Sequence, residues 1–166
     1  MAKPGNKKQA EGESKVRILA KNRKALHDYK VLEQLECGLV LQGSEVKSLR
    51  GNQANISDAF ARIEKGEVWL YGMDIPEYTQ ANQLNHKAKR RRKLLLNRQE
   101  IRKFEGELKT RGKSLIPLEL YFKAGKAKIS LALGLGQKVH DKREAIKKRE
   151  SKKDIAAFEA RRRKSG

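Results

Sequence analysis

Residues 115–133 read LIPLELYFKAGKAKISLAL. Two runs rich in apolar and β-branched residues, 115–122 and 126–133, flank Lys123-Ala124-Gly125. The glycine there can take the positive φ that a tight reversal needs. The stretch predicts a β-hairpin. Working outward, a matching signal lies upstream, where ISDAFARI (56–63) and EVWLYGM (67–73) flank Glu64-Lys65-Gly66. Between the hairpins, Asn97-Arg98-Gln99-Glu100 has the form of a capping box. Ile101, Phe104 and Leu108 follow at helical spacing as far as Gly112. Gly106 inside that helix costs about 1 kcal/mol relative to alanine, which points to close packing there. Further upstream, VLEQLECGLVLQG (31–43) reads as a strand or a bent strand pair. Ser44 reads as an N-cap for the short helix EVKSLR, which stops at Gly51.

Two hairpins, a further strand region and a capped helix between the hairpins predict a mainly β domain with helices. The order suits a small closed antiparallel OB-like barrel with about three helices, one of them plugging the barrel between the third and fourth strands. An SH3-like barrel with an added helix is the alternative.

The 166 residues suffice for one domain. Charged residues make up 36% of the chain and the net charge is +20, but the excess is segregated. Residues 1–30 carry nine Lys/Arg against three Asp/Glu, residues 85–103 nine against one, and residues 137–166 twelve against five. The rest is nearly neutral and can hold an ordinary core. The organisation predicted is a disordered basic arm (1–15), the barrel (16–136) and a basic tail (137–166). The tail has helix-forming residues but no apolar stripe to dock on a domain, so it is expected to be disordered when free and to fold on a polyanionic scaffold. Such a field calls for nucleic acid or an acidic membrane surface. Val139, Ile146, Ile155 and Phe158 are too few for a membrane-binding face, so no membrane partner is expected. A single cysteine, Cys37, and a polar N-terminus fit a reducing, cytoplasmic setting.

Catalytic chemistry finds little support. His27, His86 and His140 are far apart, and no Cys/His spacing suits a metal. Cys37 sits in a predicted strand as a small buried hydrophobe. GLGQK (134–138) lacks the full phosphate-loop spacing. Neither an enzyme, a cofactor nor a metal is expected. Binding remains. His27 and Tyr29 in RKALHDYK combine rings with cations, and stacking on RNA and packing on the fold are both open for Tyr29. Trp69 alternates with Val68 and Leu70 and is expected in the core. Asp74–Lys93 reads as a long mobile loop. It ends in KRRRKLLL (89–96), which admits three readings: a nuclear-localisation-like run, a solvated loop entering a core strand, or a phosphate clamp fixed to a rigid fold.

The order of segments resembles the SsrA-binding protein (small protein B) family of bacterial trans-translation. The resemblance rests on NRKALHDYKVLEQLECGLVLQGSEVKSLRGNQANISDAFARI, GEVWLYGMDIPEY, RKLLLNRQEI, LIPLELYFKAGKAKISLAL and HDKREAIKKRE. It implies an OB-like barrel, monomeric and without enzymatic activity, that binds the tRNA-like domain of transfer-messenger RNA (tmRNA). The barrel brings the charged RNA to stalled ribosomes, while the tail enters the empty mRNA channel as a helix near the decoding centre. The implied RNA contacts are His27, Glu36, Leu95, Asn97 and Lys128, with Arg92 and Lys93 as the cations leading into the leucines. The implied ribosome contacts in the tail are Lys138, His140, Asp141, Lys142, Arg143, Ile146, Lys147 and Arg149. Leu94 and Leu96 should anchor inward while Leu95 and Asn97 face RNA. On this resemblance the nuclear-signal reading falls. Ala88 replaces a usual proline and Ser151 a usual tryptophan, which puts the tail contacts beyond Glu150 in doubt. A general ribosome- or nucleoid-associated basic protein is the alternative.

Overall fold

The computed structural model describes residues 16–51, 54–81, 84–137 and 139–164, and the side chains of 146–160 in the last helix. The expected arm, 1–15, lies outside the described residues. In chain order the elements are β1 (Val16–Lys21), α1 (Arg23–Asp28), β2 (Tyr29–Leu39), α2 (Gly43–Arg50), β3 (Phe60–Glu64) and β4 (Glu67–Tyr71). They continue as β5 (Arg92–Leu95), α3 (Arg98–Leu108), β6 (Lys113–Lys123), β7 (Lys126–Gly136) and α4 (Val139–Lys164). The fold is mainly β with four helices. Seven strands form one antiparallel sheet in the order β1-β6-β3-β4-β5-β2-β7, and β6 also pairs with β7.

Both expected hairpins form. Lys65-Gly66 has φ of 51° and 75°, and Ala124-Gly125 has 49° and 74°. Each reversal is therefore a two-residue turn with both central residues left-handed, the twist that antiparallel strands favour. The β6–β7 pairing is longer than expected and runs from Lys113 opposite Leu135 to Lys123 opposite Lys126. Its register shifts between Pro117 and Glu119, where a proline is tolerated because the ladder is already interrupted. The shift explains the unbroken apolar run. Before it, Ile116 and Leu118 face a small cluster with Ala25 of α1 and Ala132. After it, Leu120 turns to the main core with Val68, Leu70, Leu94, Phe104, Ile129 and Leu131.

Helix α3 begins at Asn97 as expected and buries Ile101 and Phe104. No close packing surrounds Gly106, since a Cβ there would meet nothing within 4 Å. Helix α2 starts two residues earlier than expected, capped by Gln42 rather than Ser44. β1 and α1 were not expected. β1 is a charged, largely exposed edge strand, as edges tend to be. α1 is a six-residue helix capped by Asn22, whose Oδ1 accepts from the Ala25 N–H at 2.9 Å.

The segment expected to be a mobile loop before β5 is instead tied to α2. His86 is buried, with Nδ1 2.9 Å from the Ser44 hydroxyl and Nε2 2.9 Å from the Ile75 carbonyl. A carbonyl only accepts, so Nε2 carries the proton. Arg90 and Arg92 both reach the fully buried Glu45. Trp69 also departs from expectation: Val68 and Leu70 fill the core while Trp69 stands half-buried on the outer face. Tyr29 packs against the small cluster. Among the described residues no helix is long and apolar enough to cross a membrane. Every described side chain of α4 (146–160) is exposed.

Candidate nucleic-acid interface

Strand alternation builds the site. On β2, Cys37 and Leu39 are buried, which turns Glu36 and Gly38 outward. Gly38 pairs with Leu95 of β5 on one side and with Lys128 of β7 on the other. Leu94 is buried at 2% exposure and Leu96 packs on the core, whereas Leu95 is 54% exposed. The expected split of the leucine run is therefore present. Continuing the β2–β5 register two residues past the end of β5 sets Asn97 level with Glu36. A Cβ on Gly38 would lie 3.2 Å from Leu95 Cδ1, so the glycine lets the exposed leucine lie close over the strand.

Glu36 organises the cations around it. Its carboxylate accepts from the Tyr121 hydroxyl at 2.5 Å and from Lys123 Nζ at 3.2 Å, with Lys128 Nζ 3.9 Å away. The Tyr121 hydrogen bond, followed by the two lysines, holds the Glu36 carboxyl below its usual range. Burial and the same carboxylate push the Tyr121 phenol up. Glu36 is thus a charged acceptor at neutral pH and aims two ammonium groups at the same surface. Lys128 lies farther from the carboxylate than Lys123 does. Tyr121 and Lys123 were not singled out in the sequence; alternation along LYFK, with Leu120 inward, turns both outward, but only the β6–β7–β2 pairing brings them beside Glu36.

Asn97 is exposed and also structural. Its side chain receives the Glu100 backbone N–H while the Glu100 carboxylate accepts from the Asn97 N–H at 2.8 Å. Lys93 is half-buried and paired with Glu67. Arg92 departs from the expected RNA contact. It is completely buried, with Nε donating to Glu45 at 2.8 Å, Nη1 to the Met73 carbonyl at 2.6 Å and Nη2 to the Ala88 carbonyl at 2.9 Å. A guanidinium saturated inside the fold has nothing left for a phosphate. The run is amphipathic at strand spacing, and Arg92 falls on the inward side with Leu94.

His27 is not grouped with these residues. It is exposed in the last turn of α1, 3.2 Å from the Asp28 carboxylate. Seven residues of strand separate Tyr29 from Glu36, roughly 23 Å along β2. His27 instead neighbours the tail exit, where the Gln137 N–H donates to the Asp28 carbonyl at 3.0 Å. Of the expected tail contacts, Ile146, Lys147 and Arg149 are exposed on α4. Ser151, at the position where tryptophan was expected, donates its hydroxyl to the Lys147 carbonyl at 2.9 Å. Lys138 lies outside the described residues, as do the side chains of His140, Asp141, Lys142 and Arg143. No group of His, Cys, Asp and Glu among the described residues could hold a metal ion.

Fold and site together define a small basic β protein with an exposed leucine, an amide and oriented lysines on one sheet face. A family profile described as "SmpB protein" matches residues 19–161, and the chain belongs to that family. Similar curated proteins include an SsrA-binding protein of Syntrophobacter fumaroxidans, 50% identical over 90% of this chain and 92% of that protein. Another, from Bartonella henselae, is 53% identical over 81% and 85%. A solved structure described as "tmRNA-SmpB: a journey to the center of the bacterial ribosome" is 40% identical, covers 78% of this chain and 94% of its own, and superposes with a TM-score of 0.63.

Proposed function

We propose that the protein is a cytoplasmic, monomeric, non-enzymatic adaptor. It binds the tRNA-like domain of tmRNA through Glu36, Leu95, Asn97 and Lys128 and brings that RNA to stalled ribosomes for trans-translation. The kinship with SsrA-binding proteins and with a tmRNA–SmpB structure on the ribosome supports this reading. The pairings β2–β7, β7–β6, β6–β3, β3–β4, β4–β5 and β5–β2 form an unbroken cycle. We read that cycle as a closed OB-like barrel with β1 added outside it. Arg92 serves as a strut that fixes the Leu95 strand.

The observation that carries the division of labour is the separation along the β2–β7 ribbon. Glu36 and Lys128 lie toward one end, His27 and the tail exit at the other. A protein built this way can hold RNA at one pole and present the tail at the other. Helix α4 has no buried side among its described residues, and isolated helices of its length are marginal in water. In this reading the tail is disordered in the free protein and folds in the empty mRNA channel, where rRNA phosphates neutralise its lysines and arginines. Lys147, Arg149, Ile146 and the 138–143 segment would lie nearest the decoding centre, with His27 facing the same side.

The test is deletion of residues 137–166, assayed for both activities. Binding of the tRNA-like RNA should be retained and peptide tagging on stalled ribosomes abolished. Tagging by the truncated protein would overturn the assignment of the tail. Loss of RNA binding would overturn the separation of the two poles.

A further inference from the structure

We infer that the outer face of the β3–β4 hairpin is a second nucleic-acid contact, a stacking platform for unpaired bases of a single-stranded RNA segment. Alternation turns Ala61, Val68 and Leu70 inward and leaves Phe60, Arg62, Trp69 and Tyr71 outward. Phe60 and Tyr71 are cross-strand partners with centroids 5.6 Å apart and planes 14° from parallel. The Arg62 guanidinium lies 5.1 Å from the Phe60 centroid and that of Arg91 4.5 Å from the Trp69 centroid. The surface is thus an assembly of aromatic rings and guanidinium groups, the two side-chain types on which bases stack.

Charge favours RNA over an apolar protein segment. Arg62, Arg91 and Lys93 surround the rings, and the two local carboxylates are already engaged, Glu64 by Arg91 and the Tyr71 hydroxyl, Glu67 by Lys93. Arg62 opposes Trp69 across the hairpin and is paired with no carboxylate among the described residues, so its charge is available to a phosphate. The face is continuous with the Leu95 surface, because Trp69 pairs with Lys93 two residues before Leu95. Phe60, at 37% exposure, is otherwise a large ring left in water.

Trp69 is the single tryptophan of the chain, so its fluorescence reports on the platform in the full-length protein. Octa-adenylate should quench it saturably, while a heparin octasaccharide, which offers charge without bases, should not. Phe60→Ala combined with Arg62→Ala should weaken the octa-adenylate affinity about tenfold. Arg62→Ala alone should weaken it severalfold with an unchanged melting temperature. Absence of quenching would overturn the platform, as would equal quenching by heparin or oligoglutamate. Unchanged affinity in the Arg62→Ala variant would overturn it too. Folded tRNA-like RNA with Lys128→Ala tests the Glu36–Lys128 site separately.

Discussion

The carboxylate of Glu45 accepts from Arg92 Nε at 2.8 Å through one oxygen and from Arg90 Nη2 at 2.5 Å through the other, and both Glu45 and Arg92 are entirely removed from solvent. Removing one member of a buried pair strands the other charge, at a cost of about 3–5 kcal/mol. Glu45→Gln should therefore lower stability by about that amount in urea unfolding. The exposed Arg91–Glu64 pair is the control, because Glu64→Gln should change stability by no more than about 1 kcal/mol. Equal losses would mean that burial does not set the value of the Glu45 bridge.

Acid should dissolve the same bridge. Burial opposes ionisation of Glu45, but Arg90, the Gln42 N–H and Arg92 outweigh it and hold its pKa below the ordinary 4.5. A group with a lowered folded pKa contributes stability that is complete above its unfolded value and is lost as pH falls through the folded value. The stability gap between the wild type and Glu45→Gln should be constant from neutrality to about pH 5 and narrow below 4.5. Urea midpoints measured between pH 3 and 7 check this, and a gap independent of pH would refute it.

Cys37 should be chemically silent in the folded protein. It is 2% exposed, and burial pushes its thiol up to about 12. Its Sγ lies 3.6 Å from the Ile129 carbonyl. At neutral pH neither thiolate nor access is present, and alkylation then requires opening of the β2–β7 pairing. Labelling by iodoacetamide, followed by intact mass, should be at least ~100-fold slower in buffer than in denaturing urea. Comparable rates would show that this ribbon opens readily.

The hairpins, the α3 cap and the split of Leu94 from Leu95 were legible because each depends on neighbours within a few residues. Turn glycines, a capping box and a two-residue period all act locally. What was not legible depended on partners far along the chain. Arg92 reads as one more cation in a basic run until Glu45, 47 positions away, is known to lie beneath it. The loop before β5 looked mobile because Ser44 and Glu45, which hold it, belong to another element. The run 115–122 hid a change of face, since only the shift after Pro117 turns Leu120 to the opposite side from Leu118. β1 (VRILAK) is apolar at Val16, Ile18, Leu19 and Ala20, but it is short, keeps no strict two-residue alternation and lies within a basic segment. The proposed RNA contacts rest on resemblance, and the structure adds Tyr121 and Lys123 as the groups that orient Glu36.

Asn97 combines two roles that substitution can separate. As the cap of α3 it satisfies a backbone N–H, a role that serine fulfils equally and alanine does not. In the proposed RNA contact its exposed amide beside Leu95 would offer donors and an acceptor that serine cannot reproduce. Asn97→Ala should lose about 1 kcal/mol of stability through the missing cap, whereas Asn97→Ser should melt like the wild type. Both should weaken binding of the tRNA-like RNA by about five- to tenfold through the lost hydrogen bonds. Lys128→Ala should weaken it by a similar factor and reduce the slope of log affinity against log salt by about 1, the mark of one lost phosphate contact. Filter binding at several salt concentrations, beside thermal melts, resolves the three variants. Wild-type affinity in Asn97→Ser would confine Asn97 to capping, and an unchanged salt slope in Lys128→Ala would place the phosphate on another cation.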